Sequence, residues 1–364
     1  MANLNESEKK TAVLTGSLAA QGWEQRRFVF QAFSAAAGEE RAFFVEYTFL
    51  NPALGCSRPM LANPAKDQCP SYIRLRAGAL GKEGVSFSRC FGWFEAEMSK
   101  SEPFYLLAAN CALTEHMLRG SIDASAYPQE NDSAAAGNIY WDLRLQNELS
   151  FDPLSGRGKA LKSLFASKPT WNITGLNTQF SGVILLNGEK YIVRPESSCG
   201  YCDRTWGSAF TGPLLRLAGT ELRRLSDGSR LTQGAFAFCS LPSEKAGKLS
   251  CSPQAILTMP ERDFFYDTAS AADTEGGFYA ARSEGSLTLR LQMEDAETVL
   301  EASCVCPESE LLALSEVTPT GQSCRSLAAA NRSLLLRLYE KTPWGRSLRE
   351  ELSAEHVCFS LVEA

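Results

Sequence analysis

Eleven consecutive residues near the middle of the chain combine an acid, a base, two thiols, a phenol and an indole: Ser197-Ser198-Cys199-Gly200-Tyr201-Cys202-Asp203-Arg204-Thr205-Trp206-Gly207. Asp203 is a candidate proton donor. Tyr201 and Trp206 present aromatic faces, which stabilise a developing cation by up to about 2 kcal/mol once water is excluded. Together these groups suit the protonation of a carbon–carbon double bond, a step that needs a carboxylic acid kept neutral by apolar surroundings. The same residues also have a structural reading. Asp203 clamped by Arg204 or another base would be an ion pair, and Trp206-Gly207 would be a plug between domains. The surroundings of Asp203 separate the two.

Weaker candidates lie elsewhere. Trp141 and Trp171 are either walls of a ligand pocket or core residues, and Trp23, Trp93 and Trp344 read as core. Glu46 sits between Val45 and Tyr47 on an apolar strand, so it is a second acid if it points inward and a solvated group if it points outward; the solvated face is the expectation. His116 follows Glu115 on a presumed surface loop, and the other histidine, His356, is isolated. Two lone histidines do not make a triad or a histidine metal centre. Twelve cysteines occur. Cys199, Cys202, Cys304 and Cys306 would make a four-thiolate zinc site or a redox centre only if their sulfurs converge. Buried reduced thiols are the simpler reading, and neither a metal nor a cofactor is expected. No G-x-G-x-x-G or G-x-x-x-x-G-K-[ST] loop is present.

The elements that must position these residues are mainly strands. Asn187-Gly188, between Gly182–Leu186 and Glu189–Val193, is a strong hairpin signal, because a type I′ turn needs two successive positive-φ residues. Phe28–Phe33 and Ala42–Phe49 read as another hairpin. Tyr72–Arg76, Val85–Trp93, Phe104–Ala109, Met117–Ile122, Ile139–Leu145 and Trp171–Leu176 follow as short runs separated by turn residues. Ala235–Cys239, Phe264–Tyr266 and Ser286–Met293 continue the pattern, the last with Leu287, Leu289, Leu291 and Met293 on one face. Short helices are expected over Glu308–Leu314 and, from the N-cap and first-turn proline of Thr342-Pro343, over Gly345–Leu352. His356–Val362 closes the chain as a strand. Evenly spaced short strands indicate barrels or sandwiches.

Composition narrows the function classes. With 364 residues the chain exceeds one ordinary core, and two β-domains are expected, 12–207 and 208–364, after a disordered tail over 1–11. Lys and Arg number 36 against 42 Asp and Glu, and without a basic run nucleic-acid binding is not expected. No apolar stretch approaches the ~20 residues that span a bilayer, and the polar N-terminus lacks a signal-peptide core. A cytoplasmic protein with at most peripheral membrane contact is the expectation.

The order of these segments adds a resemblance. Trp171-Asn172-Ile173-Thr174-Gly175-Leu176 leads into the Asn187-Gly188 hairpin and then into Gly200-Tyr201-Cys202-Asp203-Arg204-Thr205-Trp206-Gly207. This resembles the tocopherol cyclase family and, more distantly, the carotenoid hydratases, which carry a G-Y-x-[DE]-x-x-W-G motif after a strand pair. Phe28–Pro52 and Tyr140–Leu145 sit where that family has comparable stretches, so the likeness covers roughly residues 20–210. It implies an all-β protein of two lipocalin-like barrel or sandwich domains with few short helices. It further implies a hydrophobic isoprenoid or quinol-type ligand, with Asp203 and Tyr201 catalytic in an acid-initiated cyclisation or hydration and with Trp206 beside the ligand. Trp171, Trp141 and Glu46 are the further ligand-site candidates from the residues themselves. A non-catalytic carrier of the same ligand class is the alternative.

Overall fold

The computed structural model describes residues 14–63, 68–99, 103–126, 136–147, 149–151, 170–208, 214–245, 248–267, 278–330, 333–354 and 356–363. The expected tail over 1–11 lies outside them. The described chain is all-β, with a single-turn α-helix, Ser17–Ala20, and a few 3-10 turns. No helix among the described residues is long and apolar enough to cross a membrane.

Residues up to Gly207 build one large antiparallel sheet. Its strands run Val85–Phe91, Tyr72–Ala79, Glu39–Leu50, Trp23–Ser34, then Thr170–Leu186, Asn138–Gln146, Met117–Asp123, Cys111–Thr114, Tyr105–Ala108 and Ala96–Met98. Between Trp23–Ser34 and Thr170–Leu186 lie two strands end to end, Glu189–Val193 and Gly200–Gly207. The sheet rolls until Val85–Phe91 meets Met117–Asp123. Side chains of alternate residues point inward. Phe28 and Phe30, Phe43 and Val45, Trp141 and Leu143, and Phe180 and Ile184 therefore share one enclosed core. The Asn-Gly hairpin forms as expected, with Asn187 at φ 51° and Gly188 at φ 85°. Gly120 is required for a different reason, since a Cβ there would lie 2.5 Å from the indole of Trp141.

Residues from Leu215 build two further sheets packed face to face. One has the order Asp263–Asp267, Lys248–Thr258, Ala235–Lys245, Leu215–Thr220, His356–Glu363, Ser323–Ala330 and Leu312–Val317. The other runs Arg223–Arg224, Gly345–Ala354, Leu334–Thr342, Thr298–Pro307, Ser286–Glu294 and Phe278–Ser283. Leu217, Phe238, Leu289, Leu300, Leu336 and Phe359 fill the space between them. The alternation of Ser286–Glu294 holds, with Leu287, Leu289, Leu291 and Met293 buried.

The outer face of the first sandwich sheet also packs against the rolled sheet. Small residues there, Ala218, Ala235, Ala237 and Ala328, meet Val29, Phe44, Trp171 and Tyr201. A sheet covered on both sides explains why Leu215–Thr220 is buried at every position although its sequence does not alternate.

Two expected helices are corrected. Gly345–Ala354 is a strand paired with Leu334–Thr342, and Thr342-Pro343-Trp344-Gly345 is the turn between them. Pairing along nine residues outweighs a local helix-start signal. Trp344, expected in the core, projects from this turn 96 % exposed. The Glu308 segment is a 3-10 turn, Glu308–Glu310, followed by the strand Leu312–Val317.

Candidate functional site

The strand Gly200–Gly207 lies between Trp23–Ser34 and Thr170–Leu186, and its period of two sends neighbours to opposite sides. Cys202, Arg204 and Trp206 face the interior of the rolled sheet, whereas Tyr201, Asp203 and Thr205 face the sandwich. The motif therefore feeds two separate places.

On the interior side, Glu24 is opposite Trp206 in register, which puts Arg204 on its diagonal and Arg26 two residues along its own strand. Glu24 Oε1 accepts hydrogen bonds from Arg26 Nε and Arg204 Nε, both at 2.8 Å. Arg26 and Arg204 are directly opposite, a like-charge pair that the shared carboxylate makes tolerable. Burial opposes ionisation of Glu24, but the two guanidinium groups outweigh it and hold its carboxyl below the usual range. Burial also brings Arg26 down to about 10, with Glu24 acting in the other direction. Arg26 lies 3.6 Å from the centroid of the Phe104 ring, and Arg204 lies 5.0 Å from that of Trp206.

These guanidinium groups border a cavity of about 360 Å³. Phe28, Phe104, Leu113 and Leu145 form apolar wall, and Arg26, Arg204, Thr174, Asn147, Glu115 and His116 contribute polar groups. A volume of this size accepts a small organic molecule, and apolar walls with a few grouped polar side chains are what such sites present.

On the sandwich side, Asp203 Oδ2 receives Tyr201 Oη at 2.9 Å and Trp171 Nε1 at 3.2 Å, and forms an ion pair with Arg216 Nε at 2.6 Å. Arg216 also donates to Gln25 and to Thr205, each at 3.1 Å. Burial, with the negative charge of Asp203 beside it, pushes the Tyr201 phenol well up. Asp203 adjoins the cavity along its strand, but its carboxylate is engaged on the opposite side. The partner of Asp203 is Arg216 of the sandwich, since Arg204 points the other way.

Glu46 was expected at a solvated face. It is buried instead between the two halves, 3.3 Å from Arg76 and 4.0 Å from Arg74. Those arginines cross to the sandwich and hold Glu316, with Arg76 Nη1 2.6 Å from Oε1 and Arg74 Nη2 2.5 Å from Oε2. Burial raises the Glu316 carboxyl, but the two guanidinium groups reverse this and set it at about 2. Trp171 lies in the same interface and Trp141 in the rolled-sheet core. Trp206 packs half-buried against that core. Of the residues singled out by sequence, Asp203, Arg204 and His116 border the cavity, Asp203 without presenting its carboxylate. His116 itself is exposed, at the cavity mouth.

Sequence reasoning missed Glu24, Arg26 and Phe104. The available signal was the polar run Glu24-Gln25-Arg26-Arg27 prefixed to an apolar strand, which places charge at one end of a barrel interior. The four cysteines do not assemble. Cys202 is in the rolled-sheet core, Cys304 and Cys306 are in the sandwich core, and Cys199 is at the junction. No disulfide is present among the described residues.

No family model matches the chain, and no curated protein matches it. The solved structures similar to it include two that span nearly the whole chain. One is a protein of Nitrosomonas europaea described as AttH, 12 % identical over 91 % of each chain with a TM-score of 0.47. The other is kievitone hydratase of Nectria haematococca, 11 % identical over 96 % of this chain and 95 % of that one, with a TM-score of 0.44. Likeness at this level carries no functional argument.

Proposed function

We propose that this protein binds a hydrophobic small molecule with one oxygen-bearing end in the cavity of the rolled sheet. A prenylated quinol or an isoprenoid alcohol has that form and is what the tocopherol cyclase resemblance implies. The observation that supports this reading is the cavity of about 360 Å³ between Phe28, Phe104, Leu113 and Leu145. Its apolar wall would take the hydrocarbon, and Arg26 and Arg204 would donate to oxygen at the polar end. Asp203, held by Arg216, Tyr201 and Trp171, favours a carrier over the acid-initiated catalyst.

Organic extraction of the purified chain, with mass spectrometry of the extract, is expected to release one apolar compound per chain. Leu113→Trp should fill the cavity and abolish rebinding, while Asp203→Asn should leave rebinding intact wherever the variant folds. An empty extract, together with an apolar fluorescent probe that binds Leu113→Trp as well as the parent, would overturn the reading.

One observation favours a second, catalytic reading. Glu115 and His116 both border the cavity, and either could deliver a proton to a bound alkene. Turnover of the extracted compound that disappears in Glu115→Gln or His116→Gln would establish it. Turnover that disappears only in Asp203→Asn would return the chemistry to the motif.

A further inference from the structure

At the junction of the two halves, away from the cavity described above, three residues of different chemistry converge. Cys199 comes from the loop before Gly200–Gly207, Glu221 follows Leu215–Thr220, and His356 opens His356–Glu363. One sulfur, one carboxylate oxygen and one imidazole nitrogen from these residues all lie within 4.8 Å of one another. Thr220 is paired in register with His356, so the sandwich presents Glu221 and His356 side by side. Thr220 Oγ1 also donates to the Cys199 carbonyl at 3.2 Å, which ties the loop of the rolled sheet to the same point.

Two further observations bear on what this cluster is for. His356 Nδ1 is buried and has no hydrogen-bond partner, while Nε2 lies 3.8 Å from Glu221 Oε2. Nε2 is thus the nitrogen turned toward the Glu221 carboxylate. Cys199 (φ 46°) and Glu221 (φ 58°) both stand in the left-handed region, where glycine is the low-cost occupant. Their side chains are kept there against that cost. Asn177 and Gln233, at φ 59° and 58°, border the same cavity of about 260 Å³ into which Cys199 and Glu221 open.

We propose that Cys199, Glu221 and His356 form a binding site for a divalent ion of the zinc class, with a fourth position open to that cavity. Thiolate, imidazole and carboxylate are the zinc donor set, and three protein ligands with one open position is a recurring form. In a tetrahedral site with bonds of about 2.0–2.3 Å the donors stand roughly 3.3–3.8 Å apart. Nitrogen and oxygen donors stand at the lower end of that range, roughly 3.3–3.5 Å apart. The His356–Glu221 separation is 3.8 Å, and the Cys199 sulfur lies within 4.8 Å of both, so the three side chains would draw together around the ion. Arg230 Nη2 donates to Glu221 Oε1, which orients the carboxylate with Oε2 toward the site, as outer partners of metal ligands do. Burial, and Glu221 beside it, raises the Cys199 thiol, so the ion must displace its proton. The S–H bond breaks, a sulfur–metal bond forms, and one proton leaves to water. The ion would join the rolled sheet to the sandwich.

The test uses the full chain, stripped with a chelator and titrated with Co²⁺ alone, then with Zn²⁺ as competitor. Expected is one Co²⁺ per chain with a sulfur-to-cobalt charge-transfer band, displaced by Zn²⁺. Cys199→Ser should abolish the band, and His356→Gln and Glu221→Gln should each weaken binding at least about tenfold, no less than loss of an outer-shell partner costs. Cys199→Gly keeps the test decisive if the serine variant folds poorly, because glycine suits the backbone there. It should melt no lower than the metal-free parent and bind no Co²⁺ through sulfur. A parent that takes up no Co²⁺, or a charge-transfer band that persists in Cys199→Gly, would overturn the proposal.

Discussion

The rolled N-terminal sheet and the C-terminal sandwich both enclose apolar cores, but they are finished differently. The sandwich core is filled by leucine, phenylalanine and small residues from two facing sheets. The rolled sheet admits Glu24, Arg26 and Arg204 to its interior, buried and bonded to one another. Charged groups that must keep their partners cannot interdigitate with hydrocarbon, and beside them the cavity of about 360 Å³ remains. Between the halves lies a third environment, where Asp203–Arg216 and Arg74–Arg76–Glu316 are sealed from water. Interior charge thus does two jobs in this molecule: it keeps one core open, and it pins that core's outer wall to its neighbour.

Removing a pin should have the largest effect. Arg216→Ala leaves Asp203 buried without its cation, and breaking a buried pair this way costs about 3–5 kcal/mol. Chemical denaturation should show that loss, with the two halves unfolding in separate transitions. The second pin can be released by acid. Glu316 titrates at about 2 in the folded chain against a free value of 4.5, so its contribution is fully present above pH 4.5. It fades as the pH falls from there through about 2, and totals about 3 kcal/mol. Glu316→Gln should remove that pH dependence from denaturation curves measured between pH 5 and pH 2 (roughly the window in which such a carboxylate titrates).

The contrast between open and filled cores can be tested by adding volume. Ala302→Leu in the sandwich core should cost about 1–3 kcal/mol through overpacking. Leu113→Phe, which grows into the cavity, should cost under about 1 kcal/mol because space is already there. Equal losses in thermal melts would mean that the two cores are packed alike. The smallest effect belongs outside both cores. Trp344→Ser, on the exposed turn, should change stability by no more than about 0.5 kcal/mol.

Much of this architecture was legible from local pattern. The Asn187-Gly188 turn, the alternation of Ser286–Glu294 and the aromatic run of Phe28–Phe33 each mark strands, because a half-buried strand must alternate and a type I′ turn must take positive φ. Polar residues inside strands were less readable. Glu46, read as a solvated or pocket-facing group, is met by Arg76 and Arg74 of the next strand of its own sheet. Asp203, read as a pocket acid or as an ion pair with Arg204 or another base, is paired with Arg216 of the sandwich. Leu215–Thr220 gave no periodic signal because both of its faces are covered.

Once Gly200–Gly207 is known to be a strand its side chains divide into two sets, but by itself the sequence determined an all-β chain and the hairpin that precedes the motif. Those properties depend only on torsional preference and a period of two. Tertiary structure alone decided that one set lines a cavity beside Glu24 and Arg26 while the other is bound to Arg216. It likewise placed Cys199 beside Glu221 and His356, and turned Gly345–Ala354 from an expected helix into a strand. A strand's alternation says which residues share a face, and only packing against distant segments says what that face meets.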